Sequence, residues 1–245
     1  MIKKNPSVRR TGRPSRLSII IPVYNEQQTI GEVIRRVRAV RLENLEKEII
    51  IIDDSSTDMS RDEILKAQKL DPKTTKVHLS FINLGKGASI RMGLKYATGD
   101  IIIIQDADLE LNPEEYITII DPILQGKADV VYGSRFLRHN KNIPLTTRFA
   151  NSLLTILTNV LYGTHLTDME TAYKAFRREI LGGIRLRALE FEFEPEITAR
   201  IIQKGYRIHE VPIAYHPRTK EEGKKISFID GMEAIFTLLR CKLRA

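Results

Sequence analysis

Short runs of β-branched apolar residues alternate along this chain with segments whose apolar residues recur every three or four positions. The first pattern predicts strands buried on both faces, the second amphipathic helices. Strands are predicted over 17–23, 48–52, 75–81, 100–104, 128–132, 172–176 and 206–215. Between them, Ile30, Val33, Ile34 and Val37 mark one helix, and Ile90, Gly93, Leu94 and Ala97 another. Ser60 and Glu63 predict a capping box for the helix after the second strand. Asn112-Pro113 predicts a cap and first helical residue, and Glu194-Pro195 opens a helix to about Lys204. Leu145 to Leu161 mark a long helix with one apolar face, and a terminal helix starts at Ser227. Such alternation predicts right-handed crossovers and a mostly parallel sheet.

The polar residues that interrupt this pattern collect at strand ends. The fourth strand stops at Gln105-Asp106-Ala107-Asp108-Leu109-Glu110, and in open α/β sheets ligands bind beyond the carboxyl ends of strands. Residues two apart in extended backbone project to one side. Asp106 and Asp108 can therefore offer hard oxygen donors to one small cation, and Mg²⁺ takes one or two carboxylates plus substrate phosphates. Tyr24-Asn25-Glu26 and Asp53-Asp54-Ser55-Ser56-Thr57-Asp58 follow the first two strands and should reach the same edge, where a nucleotide is expected. Glu26 and Asp54 can accept hydrogen bonds from a base or ribose, whereas Asp58 serves equally well as a helix cap. Lys86, between Gly85 and Gly87, can approach a diphosphate closely. Gly-Lys-Gly is also an ordinary turn, and its flanking spacing is not that of a Walker loop.

Composition narrows the class. With 245 residues, 42% apolar and 29% charged, the chain has the make-up of a soluble α/β domain with a substantial core. One cysteine, Cys241, excludes an internal disulfide and a cysteine-based zinc cluster, which suits a reducing compartment. The net charge of +8 sits at the ends. Residues 1–16 carry six Lys/Arg and no acid, residues 216–245 seven against four acids, and residues 17–215 a net charge of −1. A near-neutral body argues against nucleic acid, and basic ends fit an anionic membrane surface or simply a solvated tail.

Taken in order, Pro22-Val23-Tyr24-Asn25-Glu26, Asp53 to Asp58, Asn83 to Gly87, Asp106-Ala107-Asp108 and Gly133-Ser134-Arg135-Phe136 resemble the large inverting glycosyltransferase family with the GT-A fold. Within it they look most like the dolichol- or polyprenyl-phosphate mannose synthase branch, over roughly residues 17–215. The resemblance implies a Rossmann-like mixed sheet, mostly parallel and flanked by helices, with a basic disordered leader at 1–16 and a basic mobile loop and amphipathic helix at 216–245. It implies Mg²⁺ or Mn²⁺ on Asp106 and Asp108. Glu110 would be a third ligand or act through water, where related chains often carry Gln. It also implies a nucleotide-sugar donor, GDP-mannose or UDP-glucose, whose nucleoside meets Pro22, Tyr24, Glu26 and Asp54 and whose diphosphate meets Lys86 and Asp106.

The acceptor follows from charge. A phosphate monoester is already ionised at neutral pH, its second pKa being about 6, so a lipid phosphate needs cations more than a base. Arg135 and Arg148 offer bidentate binding. By resemblance they are the acceptor-phosphate pair, with Ser152 a weaker candidate, although Arg148 equally suits a solvated helix end. Asp168, near Glu170, is the remaining candidate base. His216 borders the mobile loop as a candidate phosphate contact, and Arg218, Lys220, Lys224 and Lys225 read as a lid that closes over the substrates or as a solvated charge run. The expected enzyme transfers a hexose to polyprenyl phosphate; the alternatives are a soluble hydroxyl acceptor and a non-catalytic nucleotide-sugar-binding module. Processive polysaccharide synthesis is disfavoured, because that acceptor motif, Gln-x-x-Arg-Trp, needs a tryptophan the chain lacks. Phe228, Met232, Ile235, Phe236 and Leu239 lie on one face of the terminal helix, before Arg240, Lys242 and Arg244. That helix either packs on the domain or lies in a membrane interface, and the expected location is peripheral, at a cytoplasmic membrane face.

Overall fold

The computed structural model describes residues 15–140, 143–218 and 228–244. Seven strands form one sheet: β1 (Arg16–Val23), β2 (Glu46–Asp53), β3 (Thr75–Leu79), β4 (Ile101–Ile104), β5 (Val130–Ser134), β6 (Lys174–Arg177) and β7 (Ile208–Pro212). Their order is β3-β2-β1-β4-β6-β5-β7. All pairings are parallel except those of β6, which runs antiparallel to both β4 and β5. The mixed, mostly parallel sheet of the GT-A fold is therefore present. Helices α1 (Ile30–Ala39), α2 (Ser60–Leu70), α3 (Lys86–Tyr96), α4 (Tyr116–Leu124), α5 (Leu145–Tyr162), α6 (Phe193–Gln203) and α7 (Phe228–Leu243) flank it.

The four isoleucines of β4 are fully buried, as a strand covered on both faces requires. Alternate residues serve different layers: Ile101 and Ile103 pack with α1 residues Val33 and Val37, and Ile102 and Ile104 with Ile90 and Ile197 of α3 and α6. Sheet edges differ from expectation by a few residues. Arg16, assigned by charge to the leader, opens β1 and pairs with Glu46 at 2.7 Å. β3 stops at Leu79, and Phe81 is almost wholly exposed. The leader's residues 1–14 lie outside the described residues.

The capping box at Ser60 does not form. Ser60 is already helical, and its hydroxyl accepts the Glu26 N–H at 2.8 Å, while Glu63 pairs with Lys66. Asp58 takes the capping role, accepting the N–H groups of Ser60 and Gln27 at 2.9 and 3.1 Å. It thereby ties the loops after β1 and β2 together. Asn112 caps as expected, its side chain accepting the Glu114 N–H.

The glycines around Lys86 answer to protein rather than ligand. Gly85 holds φ +94°, a left-handed conformation suited to glycine, and a Cβ on Gly87 would lie 2.8 Å from the Glu190 carbonyl oxygen. The 188–190 segment packs directly on this turn, with Leu189 O accepting the Ala88 N–H. Gly87→Ala should lose about 1–3 kcal/mol of stability by overpacking against backbone. In contrast, Gly231→Ala in α7, where an added Cβ meets nothing within 4 Å, should gain up to about 1 kcal/mol from helix propensity. Urea unfolding of the two variants checks the opposite signs.

Candidate active site

The C-terminal ends of β1, β2 and β4, together with α5, α6 and α7, enclose a cavity of about 660 Å³. Pro22, Tyr24, Glu26, Asp54, Lys86, Asp106, Asp108, Glu110 and Arg135 all line it. Local hydrogen bonds explain their placement. Asp54 is buried and accepts the N–H groups of Leu84 and Gly85 at 3.0 and 2.7 Å, so it clamps the turn that carries Lys86. That engages each of its oxygens once, where a nucleoside-reading acceptor was expected. Lys86 Nζ lies 2.8 Å from both Asp106 carboxylate oxygens and 3.7 Å from Glu194 Oε1. Burial works against its charge, but Asp106 and Glu194 more than offset this and raise its pKa.

Next along β4's extension, Asp108 accepts from Arg218 at 3.0 Å. The same guanidinium reaches Glu26 at 3.0 Å. Burial and the neighbouring Asp106 and Glu110 charges push Asp108 up to about 7. The third expected ligand does not join it: Glu110 accepts from Tyr215 Oη at 2.9 Å and from the Arg218 N–H at 2.8 Å. Among the described residues, no group of three His, Cys, Asp or Glu side chains is arranged to hold a metal by itself. Asp106 and Asp108 instead suit the two-carboxylate type of Mg²⁺ site that substrate phosphates complete.

Arg135 lines the same cavity. Asp168 accepts its Nε and Nη2, each at 2.7 Å, and its backbone N–H at 3.0 Å. Burial opposes the guanidinium charge, and Asp168 overrides that and keeps Arg135 ionised. Asp168 is wholly buried and outside the cavity lining, so the expected base is in fact the residue that aims Arg135. Glu170, two residues on, does line the cavity. Burial pushes its carboxyl up to about 7 against the pull of Lys174 and Arg135. Arg148 and Ser152 do not line the cavity; Arg148 is exposed beside Phe136, whose ring also lies near Arg135 at 5.8 Å. Arg218 is the described part of the expected lid, and Lys220, Lys224 and Lys225 lie outside the described residues.

Periodicity had treated Lys174, Glu194 and Glu170 as parts of elements or as neighbours. Lys174 is wholly buried within β6, donating to Glu194 and to the carbonyls of Met169 and Thr171. A lysine inside an otherwise apolar strand run was the available signal. Because Asp168→Ala strands the buried Arg135 charge, it should destabilise the fold by about 3–5 kcal/mol, as read from urea unfolding.

Comparison with known proteins places this geometry. Residues 18–185 match the family described as Glycosyl transferase family 2. The chain is 34% identical over 232 residues to undecaprenyl-phosphate 4-deoxy-4-formamido-L-arabinose transferase of Salmonella paratyphi A, covering 92% of this chain and 67% of that protein. The Salmonella choleraesuis counterpart is 33% identical with the same coverage. Among solved structures, glucosyl-3-phosphoglycerate synthase of Mycobacterium tuberculosis with Mn²⁺, UDP-glucose and phosphoglyceric acid superposes with a TM-score of 0.71 at 21% identity. The match covers 94% of this chain and 80% of that one, and at this identity shows the fold. The same enzyme with Mg²⁺ and UDP gives 0.70. On the family match and the curated relatives together, this chain belongs to glycosyl transferase family 2.

Proposed function

We propose that the chain transfers a hexose from a nucleotide-diphospho-sugar to a polyprenyl phosphate at a membrane surface, with inversion at the anomeric carbon. One observation carries this: Asp106 with Lys86, and Arg135, line one cavity that α5 and α7 also wall. A donor diphosphate suits the first pair and an acceptor phosphate the arginine. The curated relatives, named for transfer to undecaprenyl phosphate, support the lipid acceptor.

Direct displacement needs few groups here. The acceptor phosphate is ionised at neutral pH, so its oxygen attacks the anomeric carbon without a general base. The bond to the donor phosphate breaks as the new bond forms, and the nucleoside diphosphate leaves with the electron pair. Lys86, held in its charged form, faces the diphosphate side and stabilises the charge that gathers there. Arg135, held by Asp168, meets the attacking phosphate, and Arg148 stands beside it across Phe136. Asp106 and Asp108 would hold Mg²⁺ or Mn²⁺, which would add Lewis-acid neutralisation of the leaving group. Tyr24, Glu26 and Pro22 line the donor end, where GDP-mannose or UDP-glucose would place its nucleoside.

The way to the lipid is apolar. Leu145, Phe149, Leu153, Ile156 and Val160 form an exposed stripe on α5. Ile229, Met232, Phe236, Leu239 and Leu243 form another on the adjacent α7. Contiguous apolar patches of this kind mark interaction surfaces. Leu153 and Met232 belong to both a stripe and the cavity wall, so an isoprenoid tail leaving Arg135 would pass into the membrane side of the protein. The opposite side of α7 packs through Ala234 and Leu238 against Leu154 and Met169, which is the packing alternative, and its outer stripe stays exposed. No helix among the described residues is long and apolar enough to cross a membrane. The exposed apolar stripes on α5 and α7 support the proposed location, peripheral at a cytoplasmic membrane face.

A panel of nucleotide sugars offered with a short polyprenyl phosphate tests the reaction. One donor should yield a β-linked polyprenyl-phosphate sugar from an α-linked donor, by NMR, and EDTA or Asp108→Ala should abolish nearly all turnover. Arg135→Ala should raise the acceptor KM far more than nucleotide Kd. A retained linkage, or turnover only with soluble hydroxyl acceptors, defeats the reading. For the membrane face, Phe149→Glu with Phe236→Glu should release the protein from sedimenting anionic vesicles while leaving urea unfolding within about 0.5 kcal/mol per exposed site. Unchanged sedimentation counts against this face.

A further inference from the structure

Glu170 and Glu194 both line the cavity, and each has one buried carboxylate oxygen, Oε1, without a hydrogen-bond partner. Stranding such an atom is costly, and a ligand that donates to it recovers that loss. Glu194 has a 5% exposed side chain; its other oxygen takes the Lys174 ammonium at 2.5 Å, and Oε1 stays 3.7 Å from Lys86 Nζ. Glu170 makes no hydrogen bond through Oε1, though Arg135, Lys174 and Glu194 all act on its charge. Each of these charged groups thus acts on the next, in the order Asp106, Lys86, Glu194, Glu170, Arg135.

The ends of that row belong, on the proposed function, to the leaving diphosphate and the incoming phosphate. In a direct displacement these two lie on opposite sides of the anomeric carbon, so the transferred ring occupies the space between them. We propose that Glu170 and Glu194 are the seat of the donor sugar, their Oε1 atoms accepting hydrogen bonds from its hydroxyl groups, and that Glu170 is a specificity-determining residue. Glu170 is the one to vary because Glu194 also neutralises Lys86 and Lys174. The inference rests on the proposed function for the direction of the row, while the unpartnered oxygens stand without it.

The test measures the increment in affinity that the sugar adds. Calorimetry with Mn²⁺ compares a nucleoside diphosphate with the nucleotide sugar favoured by the donor panel, on the parent chain, Glu170→Ala and Glu170→Gln. Glu170→Ala should weaken nucleotide-sugar binding about 10- to 100-fold, the range for a hydrogen bond to a charged group. Nucleoside diphosphate affinity should stay within about twofold, which also verifies the fold. Glu170→Gln, whose amide oxygen still accepts, should recover part of the loss. A deoxy-sugar donor lacking the contacted hydroxyl should bind parent and Glu170→Ala alike. An increment that survives Glu170→Ala overturns the assignment, as does an equal loss with the nucleoside diphosphate. Loss of turnover in both variants with the increment intact also overturns it, since that marks proton transfer. A parent chain that binds no nucleotide sugar better than its nucleoside diphosphate overturns it too. If the parent transfers nothing to polyprenyl phosphate yet Glu170→Ala loses the increment, the proposed reaction fails and the sugar seat stands.

Discussion

The buried ion pair between Lys174 and Glu194 holds the two halves of this molecule in register. Lys174 comes from β6, the antiparallel strand inserted between β4 and β5, and Glu194 from the first turn of α6. A bare ammonium in such a place would be penalised by several kcal/mol. Here it donates to two carbonyls and a carboxylate and lies 4.6 Å from the Tyr132 ring. Glu194 in turn faces Lys86 of α3, which reaches Asp106 beyond β4. Opposite charges therefore alternate along Lys174, Glu194, Lys86 and Asp106, and displacing any one leaves its neighbour unpaired in a low-dielectric interior.

A second buried pair, Arg135 with Asp168, orients the acceptor end by the same logic. Asp168 takes Nε, Nη2 and the backbone N–H, which constrains both the side chain and the strand end it leaves. Arg135 also lines the cavity. An arginine held at three points is pre-organised for a planar phosphate contact and loses less entropy on binding than a free one. Arg218 solves a related problem at the donor end, where its charge lies among Glu26, Asp108 and Glu110.

The third constraint is apolar. α5 and α7 pack on each other through one side, with Leu154, Leu166, Met169, Ala234 and Leu238 forming their own small core. Their outer sides remain uncovered, and the reaction cavity runs between them. A glycosyltransferase with a water-soluble acceptor has no use for this exposure, whereas a lipid acceptor brings its own apolar surroundings.

What the sequence determined alone was the architecture and the donor edge. β-branched runs such as 101–104 carry a strong local signal because burial on both faces excludes polar residues. The acids at their ends stand out against that background, so Glu26, Asp106 and Asp108 were legible before any coordinates. Local pattern could not decide partners. Asp54 and Asp168 are carboxylates at loop positions in both descriptions, yet the fold spends them on the Gly85 turn and on Arg135. Gly85 and Gly87 looked made for a phosphate, and it is the 188–190 segment, about a hundred positions away in the chain, that crowds them. Lys174 and Glu194 are separated by 20 residues, and Lys86 is much farther from both. Only tertiary packing sets which charges meet, because a buried charge is stable only beside the partner that long-range folding delivers.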